Sequence, residues 1–161
     1  MRTFCLAVLF AVLCLRVVAY ATADGTNPPY LGSWTLTGAT VAPWAGPQRR
    51  PDLAERGRLL GQTIVFKADT ITGPSPFACR EPHYKFRDFT AATIFQGAFE
   101  AMAANDRSAD PELIASALGF LGPSIKTLET GCETAVHFVD AFTAQVGFND
   151  TIYTLKKRSS Q

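Results

Sequence analysis

The sequence is short of the features that announce chemistry or membrane residence. Its charge is balanced, with 15 Lys+Arg against 14 Asp+Glu, and charged residues make up only 18% of the chain. A near-neutral protein has no electrostatic reason to gather polyanions, so nucleic acid and anionic membrane surfaces drop out as partners. The basic run Lys156-Lys157-Arg158 is short and reads as a solvated end. No apolar run approaches the ~20 residues that a spanning helix needs; the longest, Phe4 to Leu15, stops at Arg16. Histidine occurs only as His83 and His137, and cysteine only four times. A phosphate-cradling loop is missing too, because Gly119, Gly122 and Gly131 lack the strand–turn–helix setting that such loops require. Ser33, Ser75 and Ser124 stand in no nucleophile-elbow motif, and no nucleophile is tied to the nearby pair His137 and Asp140. Glu129 and Glu133 read as solvated strand-end carboxylates rather than as an acid–base pair. These absences predict a protein that is not an enzyme and carries no cofactor.

What is present begins at the N-terminus. Arg2 supplies a positive start, Phe4 to Leu15 a short apolar core, and Ala19-Tyr20-Ala21 with Ala21-Thr22-Ala23 two small-residue exits. Together these predict a signal peptide over residues 1–23. Leu13 before Cys14 is too large for lipoprotein processing. The expected product is a single β-rich domain over 24–161, exported to a periplasm or secreted, with no stable membrane insertion after cleavage. The segment removed holds two bases and no acid, so the mature chain carries 13 basic and 14 acidic side chains. Cys5 and Cys14 leave with it. Cys79 and Cys132 remain, and in an oxidising compartment they are expected to form a disulfide worth about 4 kcal/mol in the chain-entropy model. The alternative is a tetrahedral zinc site, since Cys79, His83, Cys132 and His137 are the residue types that zinc prefers. In a continuous strand, Cys79, Glu81 and His83 would share one face.

Along the mature chain, Tyr30 to Ala42 reads as a strand, with Gly38 a bend or bulge inside it. Pro43 to Asp52 is a loop, Leu53 to Leu60 a short helix stopped by Gly61, and Gln62 to Lys67 and Thr70 to Thr72 are strands around a turn at Ala68-Asp69. After the rigid Gly73-Pro74-Ser75-Pro76, an extended stretch runs from Phe77 to Phe86. A helical insertion is expected around 89–119. In it Asp88 caps a helix from Phe89 to Met102, which Gly97, Thr90 and Thr93 weaken, with a strand plus turn as the alternative. A second helix opens on Asp110-Pro111 with Leu113, Ile114, Ala117 and Leu118 on one side, and Gly119 stops it. Ser124 to Cys132 and Thr134 to Val139 are two further strands. Then Phe142, Ala144, Val146 and Phe148 alternate with polar or small residues up to Asn149-Asp150, and Thr151 to Lys157 returns. A two-residue turn there puts Val146 opposite Tyr153 and Ala144 opposite Leu155. About seven strands with one helical insertion predict a mainly β fold, a small antiparallel β-barrel, with an α+β sandwich as the alternative.

Twelve phenylalanines with Trp34, Trp44, Tyr84 and Tyr153 point toward binding. Most of them belong in a core. Trp44, in the proline-rich loop with Arg49 and Arg50, is the expected partner contact. Phe142, Val146 and Tyr153 are the residues that would line a cavity if the barrel holds one.

Gly32-Ser33-Trp34-Thr35-Leu36, Gly61-Gln62-Thr63-Ile64-Val65-Phe66, Ile71-Thr72-Gly73 with Cys79 and Tyr84, and Asn149 to Leu155 form an ordered series. The series resembles small exported bacterial lipocalin-like and META-type domains. Those open on a G-x-W-x-L strand, carry a central cysteine and close on a hairpin ending aromatic-x-Leu. Arg80-Glu81-Pro82-His83 departs from the Asn-rich turn of the META pattern, so the resemblance implies fold more than function. Periplasmic inhibitors of c-type lysozyme are similar in architecture alone, and no residue is carried over from them. The expected function is binding through barrel loops, of a protein partner in an inhibitor-like manner or of a small apolar ligand as a carrier.

Overall fold

In a computed structural model of the chain, which describes residues 28–45, 48–95 and 98–158, the strand-forming runs assemble by pairing inward- and outward-facing positions. The predicted signal peptide, residues 1–23, and Gly97 lie outside the described residues. Strand β1 (Gly32–Val41) buries Trp34 and Leu36 completely and turns its threonines away. Its register slips between Leu36 and Gly38. The bulge therefore falls at the expected glycine, and a Cβ there would press to 3.3 Å from the Thr154 hydroxyl. Asp52 caps helix α1 (Leu53–Leu59) by accepting the Glu55 N–H at 2.9 Å. Leu59 drives from this helix into the same core as Trp34. Strands β2 (Thr63–Phe66), β3 (Thr70–Thr72) and β4 (Cys79–Arg80) then step outward from β1.

The second half holds β5 (Lys85–Phe89), β6 (Ile125–Glu129), β7 (Ala135–Phe138), β8 (Thr143–Phe148) and β9 (Thr151–Lys157). All pairs are antiparallel, and the strands form one sheet in the order β4-β3-β2-β1-β9-β8-β7-β6-β5. Among the described residues nine strands are formed where the pattern predicted about seven. The sheet curls into a half-barrel with short helices, so the mainly β, barrel-like class holds. Ile71 from one half and Leu128 from the other belong to a single buried cluster with Trp34, Leu36, Tyr153 and Leu155. The β8–β9 hairpin has the expected register, Val146 opposite Tyr153 and Ala144 opposite Leu155, with Asn149 in the left-handed region at the turn.

The two edges of the sheet, β4 and β5, are consecutive in the chain, and the seam between them is stapled. Cys79 on β4 bonds Cys132, in the turn between β6 and β7, across a Cα–Cα distance of 6.4 Å. Beside it the His83 N–H donates to the Thr130 carbonyl at 2.7 Å. Gly131 holds φ +74°, and a Cβ there would stand 3.0 Å from the Cβ of His83. Residues 77–86 are therefore not one extended stretch. The backbone reverses at Glu81, with φ +54°, and Cys79, Glu81 and His83 do not share a strand face.

The helical insertion comprises α2 (Ala91–Ile94), α3 (Ala98–Ala103) and α4 (Pro111–Ala117). Asp88 does not cap it. Phe89 still pairs with Ile125 in the sheet, and Thr90 is the residue that caps, accepting the Thr93 N–H. Asp110 and Pro111 open α4 as expected, and Gly119 leaves it at φ +93°. Its inner face is Ile114 and Ala115, whereas Leu113 and Ala117 are exposed. These helices bury Phe95, Phe99 and Phe120 with Ile125 in a second cluster on the outer side of the sheet. Among the described residues no helix is long and apolar enough to cross a membrane.

Candidate functional site

The two ends of the half-barrel differ. At the end where β8 turns into β9, α1 closes the structure. Glu55 accepts the Tyr153 hydroxyl at 2.7 Å and the Asn149 side-chain amide at 2.6 Å. Burial, and then the Glu55 carboxylate, push the Tyr153 phenol above its usual range. Sequence reasoning missed Glu55. Its spacing three residues after Asp52 is the signature of a helix start, although its side chain leaves the helix for the hairpin.

The predicted partner contacts also gather at this closed end. Trp44 is 44% exposed, lies against Gly147 of β8 and donates its indole N–H to the Asn149 carbonyl at 3.4 Å. Arg49 pairs with Asp150 at 2.7 Å. Arg50 joins Asp52 and Thr151 in lining a polar cleft of about 300 Å³. The three predicted residues thus share one rim, but Arg49 is already paired within the fold.

The predicted cavity residues do not line one space: Val146 and Tyr153 face each other across the hairpin, and Phe142 stands apart. Val146 and Tyr153 are 1% and 0% exposed and are packed solid in the core, where Phe77 stands edge-on to Tyr153. Phe142 lies one residue before β8 and is 64% exposed. Its carbonyl still accepts the Lys157 N–H at 2.8 Å, but its side chain is left outside the core.

The four residues of the zinc alternative are not brought together either. Cys79 and Cys132 are joined to each other. His83 lies at the seam, whereas His137 is on the outer side of β7, its Nδ1 2.9 Å from the Thr127 hydroxyl. Among the described residues no three His, Cys, Asp or Glu side chains are placed to hold a metal ion. Burial lowers the His137 pKa to about 4.

At the other end of β8 the curl stays open. A cavity of about 460 Å³ lies between β5, β6, β7 and the loop after α4. Phe86 and Phe138 form its back wall, 5.8 Å apart between ring centres. A chain of rings connects that wall to the core: Phe138 meets Trp34 at 5.6 Å, and Phe86 meets Tyr30 at 5.6 Å. Leu121, on the rim, is 89% exposed. Charge surrounds the apolar floor. Asp88 and Lys126 are cross-strand partners, and the Lys126 ammonium stands 5.8 Å over the Phe86 ring. Asp140 accepts the Phe142 backbone N–H at 2.7 Å, and that bond holds its carboxyl below the usual range. Asp140 therefore stays charged at any ordinary pH. Exposed apolar surface framed by fixed charge is the anatomy of a contact site. Sequence reasoning missed this mouth, whose one local signal is Leu121, an apolar residue between Gly119 and Gly122-Pro123.

No protein-family model, no curated protein and no solved structure matches this chain.

Proposed function

We propose that the protein is a non-enzymatic binding protein, exported to a periplasm or secreted, that holds a protein partner at the open mouth of its half-barrel. The observation that carries this reading is the contrast between rim and interior. Leu121 stands in solvent on the rim over an apolar floor of Phe86 and Phe138, and Phe142 is exposed one residue beyond the rim residue Ala141, while the interior is filled by its own side chains. An exposed rim over a filled interior favours surface contact over carriage of a ligand inside. Residues 1–23 support export by their pattern, and the Cys79–Cys132 bond suits an oxidising compartment. The resemblance to lipocalin-like and META-type exported domains agrees with the curled antiparallel sheet.

Native mass spectrometry of the protein purified from the compartment where it accumulates tests this. The expected mass is that of a complex with a second polypeptide, lost in a Leu121→Asp, Phe142→Asp double variant. A small-molecule adduct in place of a second chain would support a carrier instead. The inhibitor-like form of the reading is tested separately: slowed cell-wall lysis by c-type lysozyme at excess protein supports it, and unchanged lysis removes it.

A further inference from the structure

A second, smaller cavity of about 170 Å³ lies on the outer side of the sheet and shares only the Phe120 side chain with the lining of the mouth. Its floor is His137 of β7 with Gln145 and Gly147 of β8, its roof is Phe95 and Leu118 from the helical insertion, and Trp44 closes one side. Apolar-walled cavities of about 150 Å³ take up benzene-sized molecules. The space admits one aromatic ring and little more.

The polar groups in the wall narrow the ligand further. Gln145 is engaged at both ends: its amide donates to the Leu118 carbonyl at 3.2 Å and its oxygen accepts the Thr154 hydroxyl at 3.1 Å. His137 is engaged at one end. The Thr127 hydroxyl donates to the Ile125 carbonyl at 3.3 Å and lies 2.9 Å from His137 Nδ1. A hydroxyl has one proton to give. With that proton on Ile125, Nδ1 carries the hydrogen and Nε2 accepts; with it on Nδ1, Nε2 carries the hydrogen and donates. In both tautomers Nε2 is the nitrogen that Thr127 leaves for a ligand hydroxyl. Thr127 is not part of the cavity wall whereas His137 is, so the ring turns its Nδ1 edge to the sheet and offers the other to the cavity. Apolar burial keeps the imidazole neutral down to about pH 4, and the wall residues named here carry no fixed charge to balance an ionic guest.

We propose that this cavity is a binding site for one small, neutral, phenol-like aromatic molecule whose hydroxyl hydrogen-bonds His137 Nε2. The site adjoins the mouth at Phe120 but opens on the other face of the sheet, and it does not depend on the partner reading.

The test uses the mature chain with its disulfide intact, labelled with ¹⁵N and titrated at neutral pH with phenol and, separately, with toluene. Saturable amide shifts are expected at Phe95, Leu118 and Gly147. Phenol should bind roughly 3- to 10-fold more tightly than toluene, the value of one net hydrogen bond. The His137 Nε2 resonance should move with phenol and stay fixed with toluene. In His137→Leu the phenol preference should collapse to within about 2-fold while toluene still binds; if that variant does not fold, the wild-type Nε2 response decides. Absence of saturable shifts at millimolar phenol, shifts at Phe86 and Lys126 in their place, equal binding of the two probes, or a motionless Nε2 would each overturn the proposal.

Discussion

The bond between Cys79 and Cys132 closes a loop with a sequence separation of 53. In the chain-entropy description a loop of that length restricts the unfolded chain enough to contribute about 4 kcal/mol at 25 °C. A domain of this size has a total stability of about 5–15 kcal/mol, so the bridge is a large part of it. The fold adds a reason why nothing else replaces the bridge. β4 is a two-residue edge strand, and the seam beside it is otherwise held by single hydrogen bonds such as His83 N–H to Thr130 and the Tyr84 hydroxyl to Lys67. Each of those is worth about 0.5–1.5 kcal/mol net. The perturbation is the double variant Cys79→Ala, Cys132→Ala. The assay is equilibrium urea unfolding followed through the fluorescence of Trp34, which is buried against Phe138. The expected result is a loss of about 4 kcal/mol with a steeper dependence on urea, because the unfolded chain without the bridge exposes more surface. A loss below about 1 kcal/mol with an unchanged slope would refute the reasoning.

Three further outcomes follow from named contacts. His137 is buried neutral and titrates at about 4 in the fold against 6.5 as its ordinary value, so the unfolded chain takes up the proton first as pH falls. Its contribution is complete above about pH 6.5 and is lost as pH drops toward 4, on the order of 3 kcal/mol in all; acid unfolding of His137→Asn should lack that part of the slope. Tyr153→Phe removes the bond to the Glu55 carboxylate and should cost about 1.5–3 kcal/mol in thermal or urea unfolding, the range for hydrogen bonds to charged groups. Gly131→Ala places a Cβ against His83 in a left-handed backbone and should cost about 1–2 kcal/mol, whereas Gly57→Ala, in α1 with nothing near its Cβ, should be neutral or stabilising in the same melt.

Where neighbours in sequence are neighbours in space, the chain could be read directly. The β8–β9 hairpin is over-determined, because period-two alternation and a two-residue turn demand the same register. The Gly38 bulge and the Asp110-Pro111 start of α4 are likewise local. The failures all have a long-range cause. Phe89 is helical by its surroundings but is captured by Ile125 from a distant strand, which moves the cap from Asp88 to Thr90. Cys79, Glu81 and His83 alternate on paper, yet the chain must reverse at Glu81 to carry it from one edge of the sheet to the other. On α4, Ile114 and Leu118 pack inward as expected, but Ala115 takes the place of Leu113 and Ala117 because Phe95 and Phe120 choose the side it packs. The mouth was invisible for the same reason. Pro29, Phe86, Leu121, Lys126 and Phe138 are scattered along the chain and meet only when β5, β6 and β7 pair.

Site-specific photo-crosslinking in the cells that make the protein tests the central proposal most directly. A photoreactive phenylalanine is placed at Leu121 on the mouth and, as control, at Leu113 on the outer helix, both exposed. The account predicts a discrete adduct with a second polypeptide from position 121 and none from position 113. A bare chain at 121, or the same adduct from both positions, would contradict it.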